Sequence, residues 1–117
     1  MTRRDALAPL TPVTFEILLA LAEGEAHGYA ILRDIEARTE GRLSLHPGTL
    51  YRAIGRLLED RLVEESEERP DPALDDERRR YYRLTALGRQ AAAREAARLE
   101  EQVAAARARR LLGEGAT

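Results

Sequence analysis

The sequence is 117 residues long, with 44% hydrophobic and 34% charged residues, which fits one globular domain with a charged surface. It contains no cysteine, which excludes disulfide frameworks, zinc ribbons and thiol nucleophiles. Nineteen basic and 21 acidic residues leave a formal net charge of −2, so total charge names no partner.

The first predicted helix opens at Thr11-Pro12, an N-cap followed by proline where a missing N–H costs nothing. Val13, Ile17, Leu18 and Leu21 recur at helical spacing until Gly24. The longest apolar run, Ile17 to Ala22, is far short of the ~20 residues that span a bilayer. The opening MTRRDALAPL has no apolar leader core, so a cytoplasmic protein is expected. A second helix follows Gly28, with Tyr29, Ile31, Leu32 and Ile35 apolar, and Gly41 closes it. Leu43-Ser44-Leu45 alternates and predicts a short strand. His46-Pro47 opens a third helix with a buried stripe of Leu50, Ile54, Leu57 and Leu58. Thr49, Arg52, Arg56 and Glu59 fall on its other faces, and it runs out at Asp60-Arg61.

Val63 to Glu67 reads as a strand and Arg79 to Leu84 as its antiparallel return. Between them Arg69 to Glu77, with two prolines and an acidic cluster, reads as a mobile loop. Thr85 caps a long final helix, Ala86 to Leu111, along which Ala92, Ala96, Leu99, Val103 and Ala106 form a heptad seam. The expected fold is mainly α with a small β-hairpin: a winged helix-turn-helix plus a long C-terminal dimerisation helix. Residues 1–84 would form the winged domain, with the wing at about 63–84, residues 85–112 the dimerisation helix, and 113–117 a disordered tail. In such a fold the third helix enters the major groove and the hairpin reaches the flanking backbone.

Charge is unevenly spread. Residues 1–62 sum to −1, residues 63–77 to −7 and residues 78–117 to +6, so an acidic stretch abuts Arg78-Arg79-Arg80. Every basic residue is Arg, which suits bidentate recognition of phosphate and guanine. Codon bias in a GC-rich genome is the plainer account, because the bias reaches positions with no ligand to serve.

Three segments carry a family resemblance. His27-Gly28-Tyr29-Ala30-Ile31, Pro47-Gly48-Thr49-Leu50-Tyr51-Arg52-Ala53-Ile54, and Arg80-Tyr81-Tyr82-Arg83-Leu84-Thr85 with Gly88-Arg89 resemble the PadR family of bacterial transcriptional regulators. With the first helix, the resemblance covers roughly residues 10–90. It implies that the second segment is the recognition helix and the third the second wing strand. The short length and single C-terminal helix resemble the subfamily whose terminal helices, helped by helix one, make an obligate dimer. By resemblance, some members of the family release DNA when a small aromatic or drug-like molecule binds near that interface, and the Ala, Leu and Val of the seam here would make any such pocket apolar. Three features depart from the pattern. His46 stands where a small hydroxyl residue is common, the wing is long and acidic, and there is no tryptophan. Drug sensing by indole stacking therefore does not carry over.

The residues expected to contact DNA are Tyr29, His46, Pro47, Gly48, Thr49, Tyr51, Arg52, Arg56, Arg78, Arg79 and Arg80. Gly48 and Thr49 lie in a first helical turn, whose free N–H groups attract phosphate. Tyr51 offers a hydroxyl to the backbone, while Arg52 and Arg56 share a face that reads base edges or phosphate, unless Glu59 or Asp60 neutralises it. The dimer interface is expected at Ala92, Ala96, Leu99, Val103 and Ala106. His27 and His46 lack the companions a metal site needs, so capping or packing is the plainer role for His27. Asp75-Asp76-Glu77 reads as an acidic wing limiting non-specific DNA binding rather than a cation site. No cofactor and no catalytic grouping is expected. The function expected is a homodimeric repressor on an inverted-repeat operator of double-stranded DNA. The alternatives are a winged-helix adaptor that binds protein, or a small-molecule binder with vestigial DNA contacts.

Overall fold

A computed structural model describes residues 8–66 and 80–113. Within them the order is α1 (Pro12–Leu21), β1 (Ala26–His27), α2 (Gly28–Arg38), α3 (Pro47–Glu59), β2 (Val63–Ser66), β3 (Tyr81–Leu84) and α4 (Ala86–Ala108). α1 starts where its sequence predicts: Thr11 Oγ1 accepts the Thr14 amide at 3.1 Å, and Pro12 occupies the first turn. Ile17, Leu18 and Leu21 of α1 join Ile31 and Ile35 of α2 and Leu50, Ile54 and Leu57 of α3 in one buried cluster. Truncating one of these side chains to alanine costs ~2–5 kcal/mol. At the rim, Arg38 of α2 donates to Glu16 of α1 at 2.5 Å and to Asp34 at 2.8 Å.

The sheet has three strands in the order β1-β3-β2, one more than the expected hairpin. β3 is central, with Val63 opposite Leu84 and Ser66 opposite Tyr81 on one side, and Ala26 opposite Tyr82 on the other. Tyr82 is the core tyrosine, buried in the same cluster as Val63. The strand expected at Leu43-Ser44-Leu45 does not form. Its two leucines cover the core edge instead, and Thr39 Oγ1 accepts the Leu43 amide at 3.2 Å. Arg80 lies just outside β3, which starts at Tyr81, and β2 ends at Ser66. The acidic loop and Arg78-Arg79 fall outside the described residues, as does the tail from residue 114.

The end of α3 and the start of α4 are locked together. Leu62 N–H bonds Leu57 O at 3.0 Å and Arg61 N–H bonds Leu58 O at 3.1 Å, with Arg61 at φ 63°. This pattern reverses the chain at a helix end and favours glycine, which Arg61 is not. Thr85 Oγ1 donates to Arg61 O at 2.6 Å and accepts the Gly88 amide at 2.9 Å. Gly88 is buried there, and a methyl on its Cα would run into the Leu62 carbonyl. α4 then presents Ala91 and Glu95 to the body. It ends at Ala108 rather than the expected Leu111, because Arg110 turns left-handed at φ 64°. Among the described residues no helix is long and apolar enough to cross a membrane.

Candidate nucleic-acid interface

α3 buries one stripe and presents the rest. His46, Pro47, Gly48, Thr49, Tyr51, Arg52 and Arg56 are all exposed. His46 occupies the N-cap position with no side-chain bond into the helix, so the N–H groups of Gly48 and Thr49 have no capping oxygen. Such a helix start combines free donors with the positive end of the helix dipole. Arg52 and Arg56, one turn apart, make no hydrogen bond or ion pair with another described residue. Both line a groove of about 340 Å³ whose opposite wall is Leu10, Thr11 and Thr14 at the start of α1, and Asp60 lines the same groove.

Tyr51 points to the other flank of α3, toward the start of α2. Its ring sits against Gly28, close enough that any side chain there would collide with it, and it remains 40% exposed. The Tyr82 hydroxyl is held above its usual range by burial first, then by Tyr51 and Glu65, with Arg80 pulling the other way. Gly28, against which Tyr51 packs, follows directly on the β1 residues that pair with Tyr81 and Tyr82, so α3 approaches the sheet at this point. Arg80 itself pairs with Glu65 at 3.2 Å and Arg83 with Glu64 at 2.8 Å, on alternate faces of the hairpin. Tyr29 is 60% exposed, with the Arg33 guanidinium 5.4 Å from its ring centre. His27 is structural: its Nδ1 accepts the Ala30 amide at 3.2 Å and its ring meets Tyr81 edge-on at 5.4 Å.

The helix face expected to pair is only partly free within one chain. Ala92 is packed against the core, Leu99 and Ala106 are half-buried, and Ala96 and Val103 are exposed, Val103 by 43%. One residue that sequence reading missed is Glu95, 5% exposed on the inner face of α4. Its Oε1 accepts the Leu10 amide at 3.0 Å, and it pairs with Arg98. The Arg98 hydrogen bond, and after it the Leu10 amide, holds the Glu95 carboxyl below the usual range against the opposing effect of burial. The available signal was a lone acid at position 95 in the inward series Gly88, Ala91, Glu95.

Comparison with known proteins matches residues 17–94 to the transcriptional regulator PadR-like family. A 37.1 kDa protein in transposon TN4556 of Streptomyces fradiae is 42% identical over 80 residues, which is 68% of this chain and 21% of that protein. The chain thus spans about a fifth of that relative's length. A transcriptional regulator from Clostridium thermocellum superposes with TM-score 0.66 at 27% identity, covering 80% of this chain and 84% of that one. Bacillus subtilis PadR in complex with operator DNA superposes with TM-score 0.57 at 22% identity, covering 70% of this chain and 45% of that one. At that identity the likeness is one of fold.

Proposed function

The chain belongs to the PadR-like family of transcriptional regulators, and we propose from that premise that it represses transcription by occupying an inverted-repeat operator as a homodimer. The observation that carries the reading is α3 itself, a helix whose uncapped start, Arg52 and Arg56 are exposed together. Arg52 and Arg56 read base edges or phosphate from the major groove, where an arginine spans guanine O6 and N7. Gly48 and Thr49 amides and the Tyr51 hydroxyl take backbone phosphates, which fix register without reading sequence. Arg80, with Arg78 and Arg79, adds phosphate contacts from the wing.

Two copies are needed because one recognition helix covers only half of an operator. Pairing along Ala96, Leu99, Val103 and Ala106 of α4 would set the two recognition helices one duplex turn, about 34–36 Å, apart. A small apolar or aromatic molecule lodged in that seam would change the spacing and release the DNA. The test is selection of duplexes from a random-sequence pool, followed by affinity measurements at two salt concentrations. Salt-sensitive binding to a palindromic site is expected; no binding at low salt would return the reading to a protein-binding adaptor. Leu99→Asp is expected to give a folded monomer that no longer holds the selected site, and sedimentation shows which state is present.

A further inference from the structure

Gly28 has no backbone reason to be glycine. It sits at the first position of α2 without the positive φ that favours glycine, which among the described glycines is confined to Gly24 and Gly41. Inside a helix alanine is favoured over glycine by about 1 kcal/mol, so the choice of glycine at a helical position calls for a reason in its surroundings. The atoms that exclude a side chain there are Oη, Cζ and Cε1 of Tyr51, reaching across from α3. On its other side Gly28 is bonded to His27, whose ring meets Tyr81 of β3 and whose backbone pairs with that strand. One dipeptide therefore touches both the wing and the recognition helix.

We propose that Gly28 is a positioning residue for DNA binding: its missing side chain seats the Tyr51 ring and so holds the phenol hydroxyl at the start of α2, where it meets the duplex backbone. The inference rests on the DNA-binding reading of α3 and adds the residue that aims one of its contacts. Because the atoms in the way are the outer end of a side chain, Gly28→Ala turns the Tyr51 ring aside and leaves the backbone in place.

The experiment measures affinity for the duplex selected by the wild-type chain, together with thermal denaturation, for Gly28→Ala, Tyr51→Phe and the double variant. Loss of the hydroxyl contact is expected to weaken binding about tenfold. Gly28→Ala is expected to do the same with unchanged base preference, and the double variant to be no weaker than either. Multiplying losses in the double variant, or wild-type affinity in Gly28→Ala or in Tyr51→Phe, overturns the inference while leaving the DNA-binding reading intact. A wild-type chain that selects no duplex overturns both. If Gly28→Ala melts early, the same substitution is made in a Tyr51→Ala background, where the collision is gone and no further drop in melting temperature is expected; an equal drop there refutes the contact.

Discussion

α2 and α3 both begin at a histidine in the N-cap position, and the two starts are used in opposite ways. At α2, His27 bonds the first turn, lies edge-on to Tyr81 and is followed by a buried glycine. At α3, His46 makes no cap bond, and the next three residues are exposed. One end is closed by its neighbours in the sheet, while the other is left with open donors. Residue type and position alone do not decide whether a helix start is scaffold or interface; what surrounds it does.

Substitutions at the two ends should separate. The largest effect expected is on recognition: Arg52→Ala should lose ~1–3 kcal/mol of discrimination among operator variants with little change in melting. Arg80→Ala should instead weaken binding to all sequences and lower the salt slope by about one. Equal, sequence-independent losses from both would collapse the distinction between reading and holding.

Next in size, His27→Ala should cost roughly 2 kcal/mol of stability by removing a cap and an aromatic contact, whereas His46→Ala should leave denaturant midpoints unchanged. A matching loss at both histidines would break the comparison. Smaller, and of opposite sign, His46→Ser should stabilise the chain by ~0.5–1 kcal/mol, because a hydroxyl there reaches the open amides.

The smallest effect concerns pH. Glu95 is held below its ordinary value of 4.5 in the fold, chiefly by the Arg98 hydrogen bond. A depressed acid contributes stability that is present above its unfolded pKa and lost as pH falls through the folded one. Stability should therefore decline below about pH 4.5, and Glu95→Gln should flatten that part of the curve in acid titrations followed by circular dichroism.

Much of this architecture was legible from local chemistry. Thr11-Pro12 and Thr85 announced their helices because a cap and its helix are neighbours in sequence. α3 was legible from Leu50, Ile54 and Leu57 at helical spacing. β1 was not, since two residues are too few to show alternation, and its partner β3 lies 55 positions away. Leu43-Ser44-Leu45 alternated for a different reason, two leucines covering a core edge. Gly28 and Gly88 were hidden for the same cause as β1: the atoms that exclude their side chains belong to Tyr51 and Leu62. Glu95 escaped notice because its partner, the Leu10 amide, sits 85 residues upstream.

The seat of Gly88 on the Leu62 carbonyl has a mechanical consequence. α4 continues 20 residues past that fulcrum to Ala108, a shaft of roughly 30 Å at the usual helical rise. Its inner end has no slack, so a tilt of about 5° at the fulcrum carries the outer end some 3 Å sideways by simple leverage. In a pair of molecules joined along their shafts, a nudge at the far tips would swing the two reading heads apart or together.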